Sequence, residues 1–337
     1  MTRVALIACD HGLGHVRRSV LVAEALAALG AEVDLLAPTG AADRARRSLG
    51  GSRSPQVEDI DFATLTTPEG LRSGDPSTAR WEERLPSLER YDRVVCDTLP
   101  EVLAIRPDAT LLAQFLWHDV LDGIDPAIAE RAAVLAPTAP LVIGSEPFAM
   151  PAVRALPGFT AVGMHAVAMG PRRSDARGLL ISGGTTPAIV AALRAVVRAL
   201  AEDGPGPYEQ VLVDRELLPE HPPNWMTESR HTPEMYAGLA AALVRPGLGT
   251  MTELIGRGIP FWCVREAGNA ELAHNAAVVE RIGAGVDLGV LDGDGRGPRG
   301  ALLSAVLAGP PTCARPDDVA AVRFDGARTT AELVVAR

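Results

Sequence analysis

The first forty residues alternate between continuous apolar runs and helical periodicity. Residues 4–9 are all apolar, which is typical of a parallel strand buried on both faces. Apolar side chains then recur at helical spacing from Val16 to Leu29, Gly30 stands where a helix C-cap belongs, and Val33–Ala37 is again apolar. The pattern therefore predicts a strand, a helix and a second strand, a βαβ unit at the start of the chain.

The same alternation continues on both sides of a proline-rich stretch. Strands are predicted in the first half at Arg93–Cys96, Thr110–Leu116 and Leu141–Gly144. In the second half, the predicted strands and helices are, in chain order, Gly178–Ile181, helix Pro187–Ala201, Gln210–Val213, helix Pro233–Ala241, Ala242–Arg245, helix Thr250–Gly258 and Pro260–Val264. The sequence pattern of residues 50–86 gives little indication of secondary structure.

The proline-rich stretch runs from Pro147 to Arg177 and suits a connection between domains. A chain of 337 residues is long enough for two hydrophobic cores. We therefore predict two α/β domains, residues 1–158 and residues 159–337.

Composition and charge exclude several classes of function. The net charge is −10 and no block of basic residues stands out, so neither nucleic acid nor an anionic membrane is an expected partner. All 32 basic residues are arginine, which excludes a lysine Schiff base. The four cysteines show no paired spacing, so no disulfide framework or zinc site is expected. With no leader pattern and no apolar stretch of about 18 residues, we expect a cytoplasmic protein without an integral membrane segment.

A glycine-rich turn at Arg245–Thr250, RPGLGT, joins a predicted strand to a predicted helix. Gly247 and Gly249 would let backbone N–H groups at the helix N-terminus approach a phosphate. The spacing fits neither a Walker loop nor a Rossmann dinucleotide turn, and a plain strand-to-helix turn has a similar pattern. Glu253 favours the anion site, because a carboxylate on the first helical turn can accept both hydroxyls of a phosphate-linked ribose.

The order P-G-x-G-T-x-x-E, then G-x-P, an acidic loop and N-A in a helix leading to Gly283 resembles the donor domain of GT-B glycosyltransferases. The branch most resembled contains the peptidoglycan N-acetylglucosaminyltransferase and the antibiotic glycosyltransferases. The resemblance implies an α/β GT-B fold, two Rossmann-like domains facing each other across a cleft. The N-terminal domain would bind the acceptor and the C-terminal domain the nucleotide sugar.

Donor contacts follow from the resemblance. Diphosphate contacts are implied for the glycine turn and for the SGGTT loop at 182–186, a ribose contact for Glu253, a sugar contact for Glu271, and a nucleobase contact for the backbone of 230–236. Leu272 stands where many members carry Gln, so one expected sugar contact is absent. The predicted nucleotide-sugar-binding residues are Gly14, Gly183, Gly184, Thr185, His231, Arg245, Gly247, Gly249, Thr250, Glu253, Glu271 and Asn275. A UDP- or dTDP-sugar is the expected co-substrate, with no cofactor and no metal.

The turn at Asp10–Arg18, DHGLGHVRR, carries the candidate catalytic base. The resemblance places a histidine here, and a helix N-terminus favours the neutral imidazole that a general base needs. His15 is the predicted base, Asp97 at a strand end is its predicted orienting partner, and a solvated strand end is the plain alternative for Asp97. Three residues are candidates for acceptor contacts, namely His11 on the same turn, His118 and Asp119.

The expected function is an inverting, metal-independent glycosyltransferase acting on a soluble small-molecule acceptor in natural-product biosynthesis, as a monomer or homodimer. Two alternatives stay open. The motif G-x-G-H-x-x-R at Gly12–Arg18 also resembles the nucleotide-sugar hydrolase of pseudaminic acid biosynthesis, for which water would be the acceptor. A catalytically silent GT-B partner protein is the other alternative.

Overall fold

The computed structural model describes residues 1–8, 13–49, 56–59, 80–166, 172–184, 187–291, 299–313 and 321–337, with only the backbone at Asp59 and Arg299. The chain divides into two compact units. The first contains Met1–Val167 together with Val322–Arg337, and the second contains Ala168–Ala321. Each unit has a parallel sheet and its own hydrophobic core.

The first unit has a parallel sheet whose strand order is β3-β2-β1-β4-β5-β6-β7. Its strands are β1 Arg3–Ala8, β2 Glu32–Ala37, β3 Gln56–Asp59, β4 Arg93–Asp97, β5 Thr110–Leu112, β6 Val142–Ser145 and β7 Phe159–Val162. Its helices are α1 Leu13–Ala28, α2 Thr39–Ser48, α3 Trp117–Val120, α4 Pro126–Leu135, α5 Pro151–Arg154 and α11 Gly326–Val335. The predicted opening βαβ unit is present as β1, α1 and β2.

The first unit runs past residue 158, where the sequence placed the domain boundary. Strand β7 pairs in parallel with β6 and so belongs to the first sheet. Helix α11, near the end of the chain, also returns to this unit, because Ala331 and Val334 are buried in the same core as Val20 and Leu26 of α1. The proline-rich stretch lies near the connection between the two units. Strand pairing and core packing determine which unit each segment belongs to.

The second unit has a parallel sheet in the order β10-β9-β8-β11-β12-β13. Its strands are β8 Gly178–Ser182, β9 Gln210–Val213, β10 Met226–Glu228, β11 Leu239–Val244, β12 Phe261–Glu266 and β13 Gly285–Leu291. Its helices are α6 Pro187–Asp203, α7 Pro233–Ala237, α8 Leu248–Arg257, α9 Ala270–Arg281 and α10 Arg299–Leu307. In the described part of the chain, no helix is long and apolar enough to cross a membrane.

One predicted helix and one predicted strand had the wrong bounds. The helix predicted over Pro233–Ala241 ends at Ala237, because Leu239–Val244 pairs with β8 and forms a central strand. The strand predicted over Thr110–Leu116 ends at Leu112, and Trp117–Val120 is a short helix. His118 and Asp119 therefore lie in a helix and do not close a strand.

Candidate active site

His15 and Asp97 form the polar centre of the first unit. Asp97 is the last residue of β4 and pairs in register with Ala8, the last residue of β1. Helix α1 follows β1, so its first turn starts at the same edge of the sheet, where parallel α/β folds bind ligands. The Nδ1 atom of His15 lies 2.8 Å from Oδ1 of Asp97.

The Asp97 carboxylate is fully buried and accepts hydrogen bonds at both oxygens. Nε of Arg18 donates to Oδ2 at 2.8 Å and its Nη2 donates to Oδ1. Thr98 Oγ1 donates to Oδ1 at 3.0 Å, and Ser19 Oγ donates to Oδ2 at 3.3 Å. Burial acts to raise the pKa of Asp97, but the charges of Arg18 and His15 and their hydrogen bonds hold that pKa well below its usual range.

An ionised Asp97 fixes the state of the His15 ring. A carboxylate can only accept hydrogen bonds, so Nδ1 of His15 must carry the proton that it shares with Oδ1. In the neutral ring, Nε2 then holds the lone pair. This is the arrangement in which a histidine can take a proton from a hydroxyl group.

Two aromatic rings that the sequence did not single out pack against His15. The ring centroids of Phe115 and Trp117 each lie 5.8 Å from the His15 centroid. Their own rings meet edge to face at 4.8 Å. Both residues follow β5, next to β4 in the sheet, so they place aromatic surface against the imidazole.

Thr98 has an unusual backbone conformation directly after Asp97. Its φ of 59° lies in the left-handed region, which is strained for a β-branched residue and costs on the order of 1 kcal/mol. The Thr98 N–H donates to Leu112 O at 2.8 Å, which holds the turn in place. Strain of this kind concentrates at functional sites, in agreement with the position of Thr98 beside the His15–Asp97 pair.

The other candidates in this unit have different surroundings. Gly14 lies in the first turn of α1, next to His15. His118 Nε2 lies 3.6 Å from Asp119 Oδ1, and the neighbouring Trp117 is one of the two aromatic residues that pack on His15. His11 lies outside the described residues, so its acceptor role stays a prediction.

In the second unit, the side chain of Arg245 lies between two glycine turns. Arg245 follows β11, which pairs with β8. Strand β8 leads into the SGG turn, residues 182–184, which is the described part of the SGGTT loop. A Cβ atom placed on Gly184 would lie 3.6 Å from Arg245 Cδ, and one on Gly247 would lie 3.5 Å from its Nη1. The two turns that the sequence proposed as phosphate sites therefore both lie next to the Arg245 side chain.

Side chains from β12 and α9 hold the Arg245 region. Glu266 Oε1 accepts from Arg245 Nη2 at 3.3 Å and from Asn269 Nδ2 at 3.3 Å. Asn275 Nδ2 lies within hydrogen-bonding distance of Pro246 O, at 3.0 Å, and of Glu271 Oε1, at 3.3 Å. These contacts fix the glycine turn with respect to α9 and bring five polar side chains to one place, three of which the sequence predicted: Arg245, Glu271 and Asn275.

Helix α8 begins at this turn. Gly247 is its N-cap, and Gly249 and Thr250 lie in its first turn, where all three are partly exposed. Backbone N–H groups in the first turn of a helix point along the axis toward its positive end. The turn can therefore offer donors and a favourable dipole to an anion.

Asp214 organises the SGG turn and was not predicted. Its Oδ2 accepts from Ser182 Oγ at 2.8 Å and from the Gly183 N–H at 3.1 Å. Its Oδ1 lies 3.0 Å from His231 Nε2, and His231 Nδ1 lies 2.9 Å from Tyr236 Oη. The Gly183 N–H is thus already bonded to Asp214, and the diphosphate contact of this turn stays a prediction. The signal for Asp214 was its place directly after β9, at the carboxyl end of a strand beside β8.

Three further predictions for the donor site have separate outcomes. Glu253 is 1% exposed and its Oε2 lies 3.9 Å from Arg257 Nε, so its ribose contact stays a prediction. Leu272 is fully buried, which agrees with the absence of a polar sugar contact at that position. Thr185 lies outside the described residues.

The residues described contain no group of three or more His, Cys, Asp or Glu side chains that could hold a metal ion, and metal independence stays a prediction.

Comparison with solved structures identifies the architecture. The chain is similar to the calicheamicin glycosyltransferase CalG4, at 20% identity and a TM-score of 0.63, with 99% of this chain and 98% of that chain covered. It is also similar to Acinetobacter baumannii MurG, at 16% identity and a TM-score of 0.58, with both chains fully covered. The chain has the GT-B fold. The fold prediction is thereby confirmed.

A third GT-B structure adds a ligand to the comparison. The chain is similar to the spinosyn rhamnosyltransferase SpnG complexed with thymidine diphosphate, at 18% identity and a TM-score of 0.61, over 100% of this chain and 99% of that chain. No protein-family model matches the sequence, and no curated protein matches it. At these identities the likeness establishes the fold.

Proposed function

We propose that the protein is an inverting glycosyltransferase that moves a sugar from a nucleoside-diphosphate sugar to a soluble small-molecule acceptor in natural-product biosynthesis. The observation that carries the proposal is the His15–Asp97 pair, with Nδ1 held at 2.8 Å from a buried carboxylate and Nε2 left as the basic nitrogen. Orientation of a histidine by a carboxylate is the arrangement used for general-base activation of hydroxyl groups.

The second unit would stabilise the departing group. When the bond between the anomeric carbon and the diphosphate breaks, negative charge accumulates on the diphosphate. Arg245 and the positive N-terminus of α8 supply fixed positive potential, which stabilises such charge more than it stabilises the intact donor. The bound thymidine diphosphate in SpnG supports a nucleoside diphosphate as the ligand class.

The proposed reaction is a single displacement. Nε2 of His15 removes the proton of an acceptor hydroxyl while its oxygen bonds to the anomeric carbon. The bond from that carbon to the diphosphate oxygen breaks, and the nucleoside diphosphate leaves with the electron pair. Attack opposite the leaving group inverts the configuration, and Asp97 stabilises the imidazolium that forms.

A ligand panel tests the donor half of the proposal. Thermal-shift measurements with UDP, dTDP, GDP, ADP and matching nucleotide sugars should reveal at least one that raises the melting temperature. A ligand that binds only the folded state stabilises it by mass action, and 100 times its Kd corresponds to about 2.7 kcal/mol. If no nucleoside diphosphate raises the melting temperature at millimolar concentration, the donor assignment is wrong.

Incubation of the identified nucleotide sugar without an acceptor separates transfer from hydrolysis. A transferase should release free sugar and nucleoside diphosphate slowly, and an added acceptor should accelerate release. Rapid stoichiometric release into water would contradict transfer and assign a hydrolase with the same base. Donor binding without turnover across a broad panel of acceptors would instead favour a silent GT-B protein.

A further inference from the structure

The Arg18 side chain contacts Asp97, His15 and Thr98. It lies three residues after His15 on α1, so both side chains leave the same face of the helix. Its Nε donates to Oδ2 of Asp97 at 2.8 Å, and its Nη2 donates to Oδ1, the oxygen that also contacts His15. The same Nη2 lies 3.3 Å from Nδ1 of His15 and 3.4 Å from Thr98 Oγ1.

This arrangement differs from a simple carboxylate–histidine pair in its net charge. A buried carboxylate whose only partner is an imidazole strongly favours the protonated ring, because the opposite charges are close and poorly screened. A protonated ring cannot serve as a base. With Arg18 on the same carboxylate, the Arg18–Asp97 pair is neutral, and a proton added to His15 would also place a like charge beside the guanidinium.

We propose that Arg18 is a positioning residue that locks the Asp97 carboxylate toward His15 and opposes protonation of the His15 ring. The inference rests on the proposed role of His15 as a base and deepens it. The fork of Nε and Nη2 determines the orientation of both carboxylate oxygens, which is a geometry that arginine provides and lysine does not.

The groups that face the pair come from several elements. Arg18 reaches it from α1 and Asp97 from β4, while Phe115 and Trp117 from the segment after β5 are neutral. His165, in the segment after β7, senses the charges of Arg18 and Asp97. Burial, followed by the charge of Arg18, lowers the pKa of His165 to about 3, so it adds no charge near neutral pH.

The test is an NMR titration of histidine-labelled full-length protein. The chain has seven histidines, and the signal of His15 is the one missing from the His15→Gln spectrum. In Arg18→Gln we expect the midpoint of the His15 titration to move up by about one pH unit, since one compensating charge is lost. In Asp97→Asn we expect it to move down.

Two further variants keep the test decisive. Arg18→Lys retains the charge and removes the fork, so its midpoint should lie between those of the wild type and Arg18→Gln. Arg47→Gln removes an exposed charge from the neighbouring helix α2 and should leave the midpoint unchanged. An unchanged or lower midpoint in folded Arg18→Gln overturns the proposal. If Arg18→Gln does not fold, a midpoint of Arg18→Lys at or below the wild-type value does so.

The pH dependence of turnover is a second readout. The acid limb of the kcat profile should move to higher pH in the Arg18 variants, in the same direction as the NMR midpoint. A purely structural role would lower kcat at all pH values and leave the limb in place. Because the titration needs no substrate, it decides the role of Arg18 even if no donor or acceptor supports turnover.

Discussion

The Nη2 atom of Arg245 lies 3.3 Å from Oε1 of Glu266, and the same arginine side chain packs against Gly184 and Gly247. The ion pair is partly exposed, with 23% of the arginine side chain and 16% of the glutamate side chain accessible. A guanidinium in this setting is held in orientation and can still exchange one partner for an incoming anion. It is therefore the residue of the second unit whose contribution to donor binding can be tested most directly.

Arg245→Met should weaken the binding of the nucleoside diphosphate identified by thermal shift. A hydrogen bond to a charged group contributes about 1.5–3 kcal/mol, so we expect a Kd roughly 10- to 150-fold higher in isothermal titration calorimetry. The matched control is Arg198→Met, an exposed arginine on α6 of the same unit, which should bind normally. Equal losses in both variants would contradict a specific diphosphate contact.

His15→Gln should remove catalysis and preserve donor binding. General-base catalysis contributes about 10²- to 10⁴-fold, so kcat for nucleoside diphosphate release should fall by that factor. The Kd for the nucleoside diphosphate should change less than about twofold, because the proposed diphosphate contacts are in the other unit. His221→Gln, at an exposed histidine, is the control and should retain wild-type turnover. Full turnover in His15→Gln would exclude His15 as the base.

The return of the C-terminal segment to the first unit gives a third prediction. A Cβ on Gly326 would lie 2.8 Å from Met164 C, and one on Gly163 would lie 2.7 Å from Arg323 O, closer than real Cβ contacts. Gly326→Ala should therefore lower the melting temperature by several degrees, because backbone atoms must shift. Gly300→Ala in α10, where a Cβ would meet nothing within 4 Å, is the control. It should leave the melting temperature equal or slightly higher, and equal values in both variants would contradict the packing of this segment.

Buried parallel strands were the part of the fold that the sequence predicted well. Gln210–Val213 was predicted with the bounds that β9 has, since a short run bounded by polar residues has few alternatives. Leu239–Val244 was divided between a helix and a strand, because three consecutive alanines suit either conformation. Pairing with β8 and β12 decides its conformation, and that pairing depends on residues distant in sequence.

The site was predictable where a single element carries the signal. His15 and the glycine turn at 245–250 each lie at one strand-to-helix junction, so local spacing was enough. Asp214 and Phe115 act through neighbours from other strands, and the sheet orders that bring these strand ends together are not encoded in local pattern. The position of Arg18 beside His15 could have been predicted from the sequence, because helical spacing places both residues on the same face of the helix.

A buried histidine predicts part of the acid sensitivity of the first unit. His165 lies between Ser145 Oγ at 2.9 Å and Thr330 Oγ1 at 3.0 Å, and chiefly burial lowers its pKa to about 3. The folded state thus favours the neutral ring. Its stability contribution is present above the unfolded pKa of about 6.5 and is lost as pH falls toward 3, by about 1.4 kcal/mol per pH unit.

His165→Gln should therefore reduce the melting temperature more at pH 7.5 than at pH 5. The difference between wild type and variant should narrow steadily below pH 6.5, as differential scanning calorimetry across the range would show. His221→Gln is again the control, because His221 is an exposed histidine in the other unit. A difference that stays constant with pH would mean that the buried ring does not resist protonation.

Glu101 should act in the opposite direction at mildly acidic pH. Burial raises its pKa to about 7, with the nearby Glu82 acting in the same sense. Because the folded pKa is raised, the contribution of Glu101 is fully present below the unfolded pKa of about 4.3 and is lost as pH rises through 7. Glu101→Gln should then match the wild type near pH 4.5 and exceed its melting temperature at pH 8. Glu83→Gln, at an exposed carboxylate that pairs with Arg80, should show no such trend.

The contributions of His165 and Glu101 oppose each other between about pH 4.3 and 6.5, where each changes by about 1.4 kcal/mol per pH unit at most. The sum of these two contributions should therefore vary little in this window, although each single variant should have a slope relative to the wild type. In His165→Gln the remaining Glu101 should make the protein more stable as pH falls from 7 to 4.5. In Glu101→Gln the remaining His165 should make it less stable over the same interval. Parallel curves for the two variants would contradict both assignments.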